Sequence, residues 1–164
     1  MQTIQLIPAT PNDISTITTL ANKIWNDYYV PIIGQNQVDY MLKLMYNANS
    51  IAEQMQIKQH NFYLIKQNNV NIGFVSVNRV EEEEGWFLNK FYILQTIASK
   101  GLGTNVFKLL KQQINPTKIT LTVNRQNYKS INFYFKNGFK IKTVADFDIG
   151  NNYVMNDFVM EWLA

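Results

Sequence analysis

The chain contains no cysteine and a single histidine, His60. These absences exclude disulfide scaffolds, Cys-rich zinc sites and Cys nucleophiles, and they argue against multi-His metal clusters and Ser-His-Asp triads. No metal site is expected. Glycine and proline are scarce, at 7 and 4 of 164 residues, so no linker divides the sequence and one domain over 1–164 is expected. No apolar run approaches the roughly 20 residues needed to cross a bilayer. The opening MQTIQLIPATPND has neither the basic nor the long apolar region of a signal peptide. The expectation is a cytoplasmic protein with no membrane partner. A strong charge excess is missing too: 15 Lys and Arg against 12 Asp and Glu leave +3, short of what a dedicated nucleic-acid binder carries. What is present is the composition of a packed globule, 46% hydrophobic and 13% aromatic. Asn and Gln are frequent but dispersed, which reads as compositional bias and not as a prion-like tract. An enzyme made from this inventory works with backbone amides, Tyr, carboxylates or Lys.

Hydrophobic periodicity gives the order of elements. TIQLIPAT reads as a short strand stopped by Pro8. Thr10-Pro11-Asn12-Asp13 reads as a helix start, followed by Ile14, Ile17, Leu20, Ala21 and Ile24 at helical spacing. The aromatic segment WNDYYVPII is broken by Pro31 and Gly34, and a second helical region covers about residues 35 to 55. Strand character begins at Asn61: FYLI, a turn at 67 to 69, and VNIGFVSV form a hairpin. The Glu81 to Gly85 turn then leads into WFLNKFYIL. A helix over about 101 to 114, the strand KITLTV, a helix over about 127 to 136 and the strands FKIKTVADF and YVMNDFVMEWL complete the chain. The fold class is mixed α/β (α+β), a central, mostly antiparallel twisted sheet with helices on both faces. The meander in the middle excludes a doubly wound nucleotide fold.

Two segments carry the chemistry. In NKFYILQTIASKGLGTNVFKLLKQQI, the run Lys100-Gly101-Leu102-Gly103-Thr104 opens a helix, where glycine lets backbone amides approach an anion and the helix dipole favours negative charge. A Gly-x-Gly is also found at plain helix entries. GxxxxGK[ST] is absent, and GxGxxG fails because Val106 stands at the third glycine. In LTVNRQNYKSINFYFKNGFK, a strand runs into Asn124 and Asn127, and a helix carrying Ser130, Tyr134 and Phe135 stops at Asn137-Gly138, a glycine C-cap. Taken alone, Tyr134 reads as a core aromatic before a catalytic acid; the glycine loop beside it reverses that order.

Together the two segments resemble motifs A and B of the GCN5-related N-acetyltransferase superfamily. Motif A ends a strand on an aromatic-aliphatic pair, here Tyr92-Ile93. It then reaches Gln/Arg-x-x-Gly-x-Gly/Ala, here Ala98-Ser99-Lys100-Gly101-Leu102-Gly103. Motif B commonly reads Asn-x-x-Ala-x-x-x-Tyr-x-x-x-Gly-Phe, here Asn127 through Ser130 and Tyr134 to Gly138-Phe139. One departure is Ala98 in place of Gln or Arg, which leaves its backbone amide to serve the pyrophosphate. The resemblance implies the acetyltransferase fold, with strands splayed at the cofactor slot, and acetyl-CoA as donor, acetyl passing directly to an amine. It implies that Ile93 N–H polarises the thioester carbonyl, Asn127 bonds near the pantetheine and Tyr134 protonates the departing thiolate. Thr104, Lys100 and Lys136 are candidate phosphate contacts.

The N- and C-terminal stretches further resemble the bacterial polyamine acetyltransferase subgroup, through Trp25 followed by Tyr and a Pro turn, and through Asp148-Ile149-Gly150 with Met155, Asp157 and Met160. Such an acceptor calls for carboxylates and aromatic walls. Asp27, Asp39, Glu82 to Glu84 and Asp157, with Trp25, Tyr28 and Tyr29, are the candidates. The general base is left open between a carboxylate and a water chain, and His60 reads as structural. A small-molecule amine is the expected partner. A protein N-terminal or lysine acetyltransferase and a non-catalytic acyl-CoA regulator are the alternatives. The apolar strand ends and aromatic C-terminus are compatible with a homodimer.

Overall fold

The computed structural model describes residues 3–164; the first two residues of the expected domain lie outside it. Seven strands form one sheet: β1 (Ile4–Pro8), β2 (Asn61–Gln67), β3 (Val70–Val80), β4 (Gly85–Ile93), β5 (Lys118–Asn124), β6 (Lys140–Gly150) and β7 (Tyr153–Leu163). Their spatial order is β1-β2-β3-β4-β5-β7-β6, antiparallel throughout except where β4 meets β5. β1 ends at Pro8, as expected; an edge strand tolerates proline because an outward N–H needs no partner.

Helices α1 (Ile14–Tyr28), α2 (Val30–Ile33), α3 (Gln35–Met45) and α4 (Ala48–Gln56) cover one face, and α5 (Leu102–Ile114) and α6 (Tyr128–Lys136) cover the other. A 3-10 turn at Pro11–Asp13 starts α1, with the Asp13 carboxylate accepting from Thr10 N–H at 2.8 Å and from its hydroxyl at 3.2 Å. The segment is interrupted at both expected places: α1 stops before Tyr29 and α2 starts with Pro31 in its first turn, where a missing N–H costs nothing, and Gly34, at φ +83°, ends α2. The single helix expected over 35 to 55 is two. Asn47 caps the second by accepting from Ser50 N–H at 2.9 Å, while Gln54 reaches back to the Met45 carbonyl.

Strand alternation separates the two cores. Phe62, Leu64 and Phe74 pack against α1 to α4, whereas Tyr63, Ile65, Val75 and Val77 pack against α5 and α6. Two tight hairpin turns use asparagine pairs at positive φ, Asn68-Asn69 (49° and 66°) and Asn151-Asn152 (52° and 60°). The second continues β6 to Gly150, three residues past the expected end at Phe147. Among the described residues no helix is long and apolar enough to cross a membrane.

Candidate active site

The site begins with an interruption in β4. Ser76 of β3 faces Lys90 while Val77 faces Leu88, so Asn89 is an extra residue, a β-bulge. Its side-chain amide is pinned by donating to Asn78 Oδ1 at 2.7 Å. The bulge inverts the alternation: Trp86 and Leu88 precede it on the α5–α6 side, Phe91 and Ile93 follow on that same side, and Lys90 and Tyr92 turn toward α1–α4. The neighbouring parallel ladder stops at the same place. β4 and β5 pair only at Trp86↔Ile119 and Phe87↔Thr120, and beyond that they diverge. A bulge bends and twists its strand, which accounts for the parting.

Past the bulge, β4 keeps its partner on one side only. Leu94 N–H donates to the Ile72 carbonyl at 2.8 Å, so strand alternation turns Ile93 N–H to the opposite edge, the one that faces the gap. The Ile93 carbonyl on that edge accepts from the Gln95 side chain at 3.2 Å. Gly73 makes this approach possible: a Cβ there would lie 2.1 Å from the Tyr92 carbonyl oxygen.

Two cavities flank the gap. The smaller, about 200 Å³, lies between the end of β4, the α5 start and the α6 start. Its lining includes Tyr92, Ile93, Ala98, Ser99, Gly101, Leu102, Gly103 and Thr104. The larger, about 350 Å³, lies beneath α1, α3 and α4; Trp25, Asn127, Tyr134 and Asp157 line it. Tyr29, Phe91, Tyr92 and Ser130 belong to both, so the two open onto one another at the splayed strands.

The smaller cavity fits an extended phosphorylated ligand. Gly101 holds φ +87° with open space where a Cβ would point, and Gly103 and Thr104 occupy the first turn of α5, whose amides an α-helix leaves without internal partners. Ala98 departs from expectation here. Its N–H donates to the Leu94 carbonyl at 3.0 Å and Leu102 N–H to Ser99 at 3.2 Å, so these two amides shape the loop. Gly103 has a packing reason as well, since a Cβ would sit 2.9 Å from the Phe133 ring. Lys100 and Lys136 are exposed and stay outside the lining. Lys129 lines it instead, bonded to Gln95 Oε1 at 2.8 Å and lying 5.5 Å from the Tyr28 ring centroid.

The larger cavity holds the ionisable groups. Asp157 is 1% exposed and its Oδ1 has no hydrogen-bond partner. Burial lifts its carboxyl from 3.8 to about 6, with the Thr122 hydroxyl and Arg125 pulling down and Asp146 pushing up. Burial raises the Tyr134 phenol well above its ordinary value, helped by Tyr28. Tyr29 and Tyr92 are raised in the same way, and Trp25 stacks on Tyr29 at 4.3 Å.

Other expected residues lie elsewhere. Tyr28 faces the smaller cavity and donates to Asn127 Oδ1, which also caps α6 through Ser130 N–H at 3.2 Å; the Asn127 oxygen is therefore committed. Asp27 points to the surface and pairs with Lys23 at 2.8 Å, a helical i,i+4 pair. Glu84 stands at the opposite end of β4 from Ile93, on the order of 25 Å of strand away, exposed in a left-handed turn beside Glu83, which pairs with Lys118. Sequence reasoning missed Gln95, Lys129 and Phe133 on one side and Gln54, Tyr46 and Lys90 on the other. A lysine between aromatics in FLNKFYI was a signal, hidden because the bulge reverses which positions face inward.

A sheet parted between two parallel neighbours, with a glycine-led helix at the mouth and a buried phenol and carboxylate behind it, defines an acetyltransferase-type acyl-group site. Residues 29–150 match the model of the acetyltransferase (GNAT) domain, and the chain belongs to that family. It is an N-acetyltransferase with acetyl-CoA as donor. A spermidine N(1)-acetyltransferase of Thermoplasma acidophilum is 22% identical over 91% of this chain and 90% of that protein. The crystal structure of the PaiA N-acetyltransferase from the same organism, in complex with coenzyme A, is similar in fold at a TM-score of 0.79. That match covers 99% of both chains at 21% identity. Mutant forms of the spermidine/spermine N-acetyltransferase SpeG from Vibrio cholerae match at a TM-score of 0.64 and 17% identity, over 98% of this chain and 93% of that one.

Proposed function

We propose that the protein transfers acetyl from acetyl-CoA directly to the primary amine of a small molecule, with Asp157 as general base and Tyr134 as general acid. The observation that carries this reading is the pairing of a buried carboxyl held at about 6 with a buried phenol, both lining the cavity behind the splayed strands. Acetyl-CoA supplies an activated acetyl group as its thioester. Gly101, Gly103, Thr104 and Lys129 hold its phosphates and arm, and Ile93 N–H donates to the carbonyl oxygen on which negative charge develops. An alkylamine titrates near 10 and is mostly protonated at neutral pH. The neutral fraction attacks: a C–N bond forms as the C–S bond breaks, Asp157 takes the proton that the nitrogen then sheds, and Tyr134 gives its proton to the departing sulfur. The raised phenol keeps that proton available throughout the neutral range.

A cavity of about 350 Å³ with helices over it suits a small acceptor better than a polypeptide. The presence of both Asp157 and Tyr134 favours catalysis over passive acyl-CoA sensing. A polyamine acceptor is the second reading. It is supported by the activity that names the 22% relative. Among its expected carboxylates, only Asp157 lines the cavity. The test is free thiol released from acetyl-CoA in the presence of a panel of amines that includes spermidine, spermine and short diamines. Tyr134→Phe is expected to lower kcat by about 100-fold, in the range of a lost general acid; unchanged turnover would remove Tyr134 from the mechanism. A homodimer is a further reading, supported by the exposed Ile141, Val144 and Phe147 on the edge strand β6. Sedimentation equilibrium with Val144→Lys tests it, dissociation being the expected result.

A further inference from the structure

The larger cavity contains a buried cation with no counter-charge. Lys90 is 9% exposed; its Nζ donates to Gln54 Oε1 at 2.7 Å and lies 5.3 Å and 5.7 Å from the ring centroids of Tyr46 and Phe62. Gln54 is oriented for this, because its amide nitrogen donates to the Met45 carbonyl at 2.9 Å. Among the described residues no carboxylate lies within ion-pair distance of Lys90. The other ionisable groups at this end of the cavity do not neutralise it. Lys58 adds positive charge and pairs outward with Glu53 at 3.2 Å, while burial, Lys90 and Lys58 push His60 down to about 4, which leaves it uncharged at neutral pH. Burial and Lys58 lower Lys90 itself to about 8, so it is still largely an ammonium at pH 7.

An ammonium taken out of water is stable only when paired and hydrogen-bonded. Here the hydrogen bond and two aromatic faces are provided by the chain, and the opposite charge is not. We propose that Lys90 anchors an anionic group at the far end of the acceptor, so that the substrate is an amine that also carries a carboxylate, of the ω-amino carboxylate class. The proposal rests on acetyl transfer to a small amine at this same site. The polarity of the cavity matches such a molecule: Asp157 and Tyr134 stand where an amine reacts, and Lys90 and Lys58 stand at the other end. A chain of contacts joins the two ends, from Lys90 to the Tyr46 ring, through the Tyr46 and Tyr92 hydroxyls 2.9 Å apart, to Tyr29. Along β4, Lys90 and Ile93 are three residues apart, roughly 10 Å of strand. That span calls for several methylenes between amine and carboxylate. A polyamine would instead place a second ammonium against Lys90.

The experiment uses matched acceptors: the series from glycine to 6-aminohexanoate, each beside the alkylamine lacking the carboxylate, with short diamines and spermidine. Thiol release from acetyl-CoA is the readout. A preference for the carboxylate-bearing twin of at least about 30-fold in kcat/KM is expected, the effect of losing one partner of a buried charge pair. It should grow with chain length beyond glycine, lie mainly in KM, and disappear in Lys90→Met. Titration of the protein–coenzyme A complex with 6-acetamidohexanoate and with N-pentylacetamide reads the same preference without turnover. Equal use of the twins, or a preference for diamines or spermidine, would overturn the anchor and leave acetyl transfer standing. Silence from every amine, together with equal binding of the two acetamides, would overturn both.

Discussion

Asp157 is held in its charged form at neutral pH against the preference of its surroundings. Its carboxyl binds a proton more tightly in the folded chain, at about 6, than at the ordinary 3.8. The associated stability is therefore present below pH 4 and lost as pH rises through about 6. The displacement corresponds to roughly 3 kcal/mol. Asp157→Asn is expected to be more stable than the parent at pH 8 and to lose that advantage at pH 4, as read by urea denaturation at both values. Lower stability at pH 8 would contradict it. As the proposed general base, the same group is expected to set the rate profile. With a free amine and a free carboxylate both required, the slope of log kcat/KM against pH steepens from 1 to 2 below about pH 6, and Asp157→Asn retains slope 1 at a much lower rate. Stability and activity thus move in opposite directions at one residue, a frequent property of active sites.

Strand β4 concentrates the site's construction into nine residues. Its bulge moves Lys90 and Tyr92 to the α1–α4 side, and the single approach over Gly73 positions the Tyr92–Ile93 end. Gly73→Ala puts a Cβ 2.1 Å from a backbone oxygen, a clash that no side-chain rotation relieves. The expected result is a loss of stability of about 3 kcal/mol, at the upper end for overpacking, together with loss of coenzyme A binding by calorimetry. Wild-type affinity would show that β4 adjusts. Existence and order of the strands were readable from periodicity, because their inward positions are apolar. The bulge was not, since one added residue leaves WFLNKFYIL reading as a single strand and changes only which residues share a face. Lys90 was lost with it. The glycine loop was legible as a motif, yet the work of individual amides was not: Ala98 and Leu102 serve the loop's own turns.

For the molecule as a whole, the two-faced sheet follows from alternating strands and amphipathic helices, both of which leave a trace in sequence. Charge placement leaves none. The run of glutamates stands at the exposed start of β4 and the pocket lysine is buried within the same strand, and net charge averages them. The abundance of asparagine also has a structural part: Asn68, Asn69, Asn115, Asn151 and Asn152 all adopt positive φ, the left-handed region that asparagine tolerates better than other non-glycine residues. Substituting Asn151 with Val is expected to cost about 1 kcal/mol, measurable by thermal denaturation; no change would mean the turn has another accessible form.

The gap between β4 and β5 divides the sheet into a four-stranded and a three-stranded half joined by two residue pairs. Such a seam is a natural line of cooperative weakness, so the halves are expected to open as separate units in native-state hydrogen exchange. A ligand lying in the seam would act as a surrogate strand and fuse them. Coenzyme A at 100 times its Kd should add about 2.7 kcal/mol to stability, with slowed exchange at the facing amides of β4 and β5 and little change in β1 or β6. The protein's resistance to unfolding in a cell would then follow the supply of its own donor.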